Sequence, residues 1–314
     1  MTASLGLGLA ALGRPAYIAL DRDRDLGAFS DRGVDRMRAR AHSMLDAAWA
    51  AGVRYVDAAR SYGLAEQFLG EWLSEHPERR PELTIGSKWG YRYVADWQRD
   101  VDVHEVKDHS LAHVEEQWPQ TLAALGASPD LYLIHSVTPD SPALGDGALL
   151  DRLRELAADG VRVGISTSGP HQGDVLDAAR GLNDTPFSAV QATINVLEPS
   201  VGHALERAHE AGWVVVAKEV FANGRLASTP EGEPATPWAA ALAAATGVAP
   251  EAAALGWALA QPFVDIALTG AVTEQQLAAN VAAAPLAPSQ LTATSSLAVE
   301  PAQYWAARSA LAWQ

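Results

Sequence analysis

The sequence predicts an α/β protein whose strand–helix units close into a (β/α)8, or TIM-type, barrel. Three observations carry that expectation. Short β-rich apolar runs alternate with longer amphipathic or Ala/Leu-rich segments almost to the end of the chain. Each run is brief and continuously apolar, the pattern of parallel strands buried on both faces. There are eight such units, which fit a closed barrel better than an open sheet. The 314 residues suit one domain of this kind, spanning 1–314.

In chain order the expected strands are Leu5–Ala11, Arg54–Asp57, Thr84–Lys88, Leu131–His135, Arg162–Ser166, Ala189–Thr193, Trp213–Lys218 and Asp265–Thr269. The helices between them are expected at Val34–Ala51, Leu64–Ser74, Ser110–Leu125, Ala148–Ala158, His171–Leu182, Gly202–Ala211, Pro250–Ala260 and Glu274–Val281. Gly52, Gly126, Gly160 and Gly212 fall where helix C-caps favour glycine. Pro119 should kink or split the third helix. Three stretches break the rhythm: a loop at about 89–107, a second at about 223–246 containing Pro230, Pro234 and Pro237, and the tail 285–314. The two loops would leave the C-terminal face of the barrel, where functional loops gather, and the tail is expected to fold across the same face.

Composition excludes several functions. With no Cys, thiolate catalysis, Cys-ligated zinc and iron–sulfur chemistry are impossible. Asp and Glu outnumber Lys and Arg 38 to 23, for a net charge of −15, so the surface repels phosphate backbones and anionic lipid. No nucleic-acid or membrane partner is expected. The N-terminus lacks a basic region and apolar run, and no stretch reaches the ~18 apolar residues of a membrane span. A cytoplasmic location is expected; oligomeric state has no signature here.

The informative residues sit where strands end. Asp57 closes the second strand, and Tyr62 follows it in Asp57-Ala-Ala-Arg-Ser-Tyr62-Gly63. Lys88 ends the third strand and His135 the fourth. A carboxylate, a phenol, an ammonium and an imidazole therefore reach one rim. A nearby cation favours the phenolate and lowers a Tyr pKa from its usual ~10. A phenol so tuned exchanges protons with a carbonyl or alcohol oxygen. On this reading Lys88 supplies the field, Asp57 holds Lys88, and His135 orients the substrate oxygen.

These four residues, with Gly164-Ile-Ser166-Thr167, Gln191, Lys218-Glu219-Val220…Gly224-Arg225-Leu226 and Thr269-Gly270-Ala271…Gln276…Asn280, make the chain resemble the aldo-keto reductases from about Leu5 to Asn280. The resemblance implies an NAD(P)-dependent oxidoreductase that moves a hydride between nicotinamide and an aldehyde, ketone or sugar carbonyl or alcohol, without a metal. It implies that Asp57, Tyr62, Lys88 and His135 are catalytic. Ser166, Thr167 and Gln191 would hold the carboxamide. Lys218, Glu219, Val220, Gly224 and Leu226 would lie along the nicotinamide and pyrophosphate, and Gly270, Ala271, Gln276 and Asn280 would hold the adenosine end. Anion binding at a helix N-terminus accounts for that last placement. Three departures stand out. Thr167 replaces the family's Asn, and Lys218 stands where many relatives carry an aromatic ring. Gly270, Ala271 and Gln276 replace the Lys, Ser and Arg that clamp a 2′-phosphate in NADP-binding relatives. NADPH or NADH is therefore implied, with a lean toward NAD that Arg225 could reverse. The rival function is a non-enzymatic cofactor-binding regulatory subunit.

Other motifs carry less. Gly6-Leu-Gly8-Leu-Ala-Ala11, with Asp25 beyond it, matches a dinucleotide fingerprint, but Gly13-Arg14-Pro15 follows in place of the required helix. His109 and His113 share a helical spacing without enough neighbours for a metal site, and are expected at a solvated helix start. Trp89, Tyr91 and Trp97 either wall an apolar or sugar-stacking substrate pocket or pack into the core.

Overall fold

Eight parallel strands hydrogen-bond edge to edge until the last meets the first. The structure is a computed structural model and describes residues 3–18, 20, 22–228 and 235–314. The strands and helices run β1 (Ser4–Gly8), α1 (Arg22–Leu26), α2 (Val34–Ala50), β2 (Tyr55–Asp57), α3 (Ala65–Glu75), β3 (Thr84–Trp89), β4 (Tyr91–Tyr93), β5 (Glu105–Lys107), α4 (Leu111–Leu125), β6 (Leu131–Val137) and α5 (Gly147–Ala158). They continue β7 (Arg162–Thr167), α6 (Gln172–Arg180), β8 (Ala189–Thr193), α7 (Gly202–Glu210), β9 (Val214–Lys218), α8 (Pro237–Thr246), α9 (Pro250–Leu259), β10 (Ile266–Thr269), α10 (Glu274–Val281), α11 (Pro288–Thr294) and α12 (Pro301–Ser309). Around the barrel the order is β1-β10-β9-β8-β7-β6-β3-β2, while β4 and β5 form a separate antiparallel pair. The expected (β/α)8 barrel is therefore the fold.

Two apolar layers hold it. Tyr55, Leu131, Leu133, Ala189, Val216, Ile266 and Leu268 fill the barrel interior. Two larger clusters lie between the strands and the surrounding helices. Successive strand side chains point to opposite sides, so a brief strand feeds both layers at once. The interior is tight: a Cβ on Gly86 would sit 2.2 Å from the Tyr55 hydroxyl.

Most boundaries fall as the sequence predicts. Gly52, Gly126, Gly160 and Gly212 all have φ between 72° and 93°, as helix-ending glycines should. β1 stops at Gly8 because the amides of Leu12 and Gly13 both turn back to the Leu9 carbonyl. Pro119 does not split α4, which runs unbroken from Leu111 to Leu125. Pro119 and Glu115, four residues earlier, are both exposed, so the carbonyl left without its amide faces water.

Both irregular loops hold more structure than expected. In 89–107, β4 pairs with β5, Tyr91 opposite Lys107 and Tyr93 opposite Glu105. In 223–246, the last ten residues are helix α8: Thr236 caps it by accepting from the Ala239 amide, and Pro237 takes the first turn. Pro230 and Pro234 lie outside the described residues. The tail carries α11 and α12 and returns to the N-terminal loop, where Tyr17 and Gln314 exchange backbone hydrogen bonds of 2.9 and 3.0 Å. Among the described residues no single helix is long and apolar enough to cross a membrane.

Candidate active site

The C-terminal ends of β2, β3, β6 and β8 bring together four of the side chains singled out in the sequence. Lys88 Nζ donates to Asp57 Oδ2 at 2.6 Å and to the Ala58 carbonyl at 2.9 Å. Gln191 Nε2 donates to the other Asp57 oxygen at 2.7 Å. Asp57 therefore joins the lysine of one strand to the glutamine of another. Tyr62 places its hydroxyl 3.5 Å from His135 Nε2, and Lys88 Nζ lies 4.7 Å from the centre of the Tyr62 ring. All of these side chains are buried.

Local geometry explains the aim of each group. β6 pairs with β7 in register from Leu131 to Ile134 and then shifts before Val137. Ser136 in that irregularity has φ of 56°, and its amide donates to Ser166 Oγ at 2.8 Å. Such a bulge re-aims a side chain at a barrel rim, here His135. Behind it His109 Nε2 donates to the His135 carbonyl at 2.8 Å, with Ser141 at 2.7 Å from Nδ1. His109 and His113 are thus buried, not on a solvated helix start. The Tyr62 loop is packed against the loop after β1: a Cβ on Gly13 would lie 2.3 Å from the Tyr62 carbonyl, and Gly63 at φ +60° has the Gly13 carbonyl just as close.

Burial dominates the electrostatics. It pushes the Tyr62 phenol well above its ordinary pKa, with the Asp57 charge adding to the effect. The sequence led us to expect a phenol lowered by Lys88; desolvation and Asp57 win instead. Burial also lowers the Lys88 amine, against the pull of Asp57. His135 falls well below the usual imidazole value through burial and then the positive charges of Lys88 and Lys218, so its ring is neutral at pH 7. A neutral imidazole and a protonated phenol both present hydrogen-bond donors to an oxygen in the cavity.

That cavity has a volume of about 440 Å³ and runs from Asp57 and Tyr62 past Gln191, Lys218, Glu219 and Gly224 to Gly270, Ala271, Gln276 and Asn280. Gln191 Oε1 is buried and has no partner among the described residues. An unpaired acceptor costs free energy unless a donor meets it, and the amide of a nicotinamide ring is such a donor. Small residues along the groove (Gly8, Ala10, Ala11, Gly224, Gly270, Ala271) let a flat, extended molecule approach the backbone. The residues present therefore fit a nicotinamide dinucleotide.

Lys218 donates to Thr193 Oγ1 at 2.9 Å, and burial lowers its amine to about 8. Beside it Glu219 is held down to about 2 by Arg308 and Lys218, against the cost of burial. Val220 lines the groove with them. At the far end Gln276 Oε1 accepts from the Val272 amide at 3.0 Å, its Nε2 donates to Asp25 at 2.9 Å, and Asn280 Nδ2 donates to Thr269 Oγ1 at 2.6 Å.

Several expected site residues point elsewhere. Trp89 is fully buried between barrel and helices, because Lys88 faces inward and the next side chain must face outward. Thr167 follows Ser166 in the same way, and its hydroxyl donates to Gln172 Oε1 at 3.1 Å. Leu226 is also core. Trp97 packs toward the N-terminal loop, its indole donating to the Arg32 carbonyl at 2.7 Å. Arg225 is held over the Tyr304 ring at 4.3 Å and does not line the groove. Tyr91 alone of the three aromatics approaches the site, edge-on to His135 at 5.1 Å. Sequence reasoning gave no site role to Arg14, Asp25 or Arg308, which arrive from remote segments. Among the described residues no group of three or more His, Asp or Glu is placed to hold a metal.

Known proteins resemble the chain in the same terms. The model of the Aldo/keto reductase family matches residues 25–298. D-threo-aldose 1-dehydrogenase of Pseudomonas sp is 28% identical over 249 residues, 72% of this chain and 70% of that protein. Pyridoxal 4-dehydrogenase of Microbacterium luteolum is 27% identical over 227 residues, 62% and 65% of the two chains. Among solved structures, the holo form of an aldo-keto reductase from Bacillus halodurans superposes with a TM-score of 0.70 at 24% identity, over 95% of this chain and 93% of that one. The glycerol dehydrogenase of Gluconobacter oxydans gives 0.69 at 22% identity, over 94% and 91%. At those identities the two structures speak for the fold. The family match covers most of the barrel, from α1 to beyond α11, and the chain belongs to the aldo/keto reductase family, oxidoreductases that work with nicotinamide cofactors.

Proposed function

We propose that this protein interconverts a small-molecule carbonyl and its alcohol, with Tyr62 as the proton-transfer group. The observation that carries the reading is the shared carboxylate of Asp57, bound to Lys88 on one oxygen and to Gln191 on the other. It couples the residues beside the proton donor to the residue with an open acceptor for a carboxamide. When bound, a nicotinamide cofactor would supply or accept the hydride.

The chain's own residues do the rest. Gln191 and Ser166 fix the carboxamide; Thr167, committed to Gln172, takes no part. Tyr62, kept protonated by burial, gives its proton to the carbonyl oxygen during reduction and takes it back during oxidation. Lys88 steadies the phenolate that forms, and Asp57 holds Lys88 in place. His135, neutral, donates to the same oxygen and fixes its direction. Tyr91, edge-on to His135, borders the substrate end.

The groove favours NAD over NADP. Where a 2′-phosphate would need cations, the Gln276 amide is spent on the Val272 backbone and on Asp25, and the Asp25 carboxylate faces the same rim. The Asp25 charge there repels phosphate and accepts from ribose hydroxyls, and it pairs with Arg24, the cation beside it on the rim. Aldoses and pyridoxal, named in two relatives, are the first substrates to try.

The test is steady-state oxidation and reduction with each nicotinamide cofactor over aldoses, aryl aldehydes and pyridoxal, alongside Tyr62→Phe. Turnover should fall by about 10²–10⁴ in the variant while cofactor still binds. Full activity in Tyr62→Phe would refute the mechanism. Tight cofactor binding without turnover on any carbonyl would point to a regulatory subunit.

A further inference from the structure

Tyr62 touches two cations, and only one belongs to the residues discussed so far. Arg14, in the loop after β1, is 3% exposed and lays its guanidinium 5.1 Å from the centre of the Tyr62 ring. Its Nη1 donates to the carbonyl of Ser61, the residue before Tyr62, at 3.0 Å and to Glu105 Oε1 at 2.7 Å. Trp313, near the C-terminus, covers it at 4.8 Å, and Tyr17 lies at 5.3 Å. The Leu64 amide donates to the Gly13 carbonyl at 2.7 Å, which ties the two loops together. A buried cation packed among three rings, Tyr62 among them, with its own carboxylate, is more than a surface ion pair.

The two cations differ in kind. Lys88 is matched by Asp57 at 2.6 Å, and burial lowers its amine. A guanidinium keeps its charge at any pH at which the protein folds and stacks flat on aromatic faces. Arg14 therefore brings a second, fixed cation to the side of Tyr62. The charged and titratable groups facing the phenol are Asp57, Lys88, His135, Tyr17, Arg14 and Glu105. Burial opposes the phenolate most; of these groups Asp57, Tyr17 and Glu105 oppose it too, while Arg14 favours it.

We propose that Arg14 is a positioning residue for Tyr62, and that Glu105 on the β4–β5 hairpin is its counterweight: together they set how readily the phenol exchanges its proton. The proposal rests on the reading of Tyr62 as the proton-transfer group. It links Glu105 on the hairpin and Trp313 near the C-terminus to the chemistry.

The test compares Arg14→Met, Arg14→Lys and Glu105→Gln with the parent protein. Two readouts are taken: the pH profile of turnover, and the ionisation of a fluorotyrosine incorporated at position 62, whose lower intrinsic pKa brings it into the folded range. Arg14→Met should shift ionisation upward by roughly one unit or more, and Glu105→Gln should shift it downward. Arg14→Lys should restore most of the parent value. Opposite signs in the two variants are expected only from charge; loosening the loops would move both the same way. Shifts of one sign, or none, would overturn the proposal. If Arg14→Met fails to fold, Glu105→Gln alone decides: a downward shift supports the proposal, and an upward shift or none overturns it. Should Tyr62→Phe keep full turnover, the catalytic reading fails while the fluorotyrosine shift still reports on Arg14.

Discussion

Glu219 and Arg308 join the end of the β9 strand to the C-terminal helix α12. Arg308 Nε lies 3.0 Å from each Glu219 oxygen, across 89 residues of sequence. The pair is only slightly exposed, so it is worth more than a surface ion pair, yet breaking one side leaves a buried charge.

Arg308→Met should therefore destabilise the protein by about 2–4 kcal/mol at pH 7. The pH dependence follows from Glu219, whose carboxyl is held at about 2 against an ordinary value of 4.5. A lowered carboxyl contributes stability that is complete above its unfolded value and is lost as pH falls through its folded value. Denaturant unfolding from pH 6 down to pH 3 should show the parent losing much of this contribution while the variant loses little. Equal slopes would mean that Arg308 does not hold Glu219 down.

Asp57→Asn removes the charge that Lys88 and Gln191 share. With Lys88 buried and its counter-charge gone, stability should drop by about 3–5 kcal/mol. Turnover and cofactor affinity should fall together, because one side chain serves both. Calorimetric cofactor titration on the folded fraction separates the two losses, and unchanged cofactor affinity would break the proposed coupling.

Lys218 lines the groove, at the end proposed to hold the nicotinamide, with an amine at about 8. Below that pH it is a cation beside a ring that is positive when oxidised and neutral when reduced. Affinity for the oxidised cofactor should rise between pH 7 and 9, by up to about tenfold, while affinity for the reduced form stays level. In Lys218→Met both should be flat. Fluorescence titration across that range measures each.

Asp25→Ser tests the cofactor lean. Asp25 receives Gln276 and is paired with Arg24 at 3.0 Å. Without it the rim loses a negative charge. The dissociation-constant ratio of oxidised NADP to NAD should fall by about tenfold, or ~1.4 kcal/mol. A parent protein that already binds NADP more tightly would refute the reading.

Much of this molecule is legible in its residues one segment at a time. The brief apolar runs mark the eight barrel strands, glycines end the helices, and Asp57, Lys88, His135 and Gln191 stand at strand ends where a barrel gathers its chemistry. Alternation along a strand could also have turned Trp89 and Thr167 away from the cavity, since Lys88 and Ser166 face inward. The Thr236-Pro237 cap similarly marks α8 inside what reads as a loop.

Other features have no local signal. The irregularity at Ser136, the hairpin carrying Glu105, and the arrival of Arg14, Asp25 and Arg308 at the site depend on segments far apart in the chain. Arg14 and Glu105 are 91 residues apart, and Asp25 and Gln276 are 251 apart. Periodicity and turn chemistry act over a few residues, so they fix elements and the faces those elements bury. Which remote charge meets which, and whether burial or a neighbouring cation governs the Tyr62 phenol, is decided only when barrel closure removes water and sets the distances between charges.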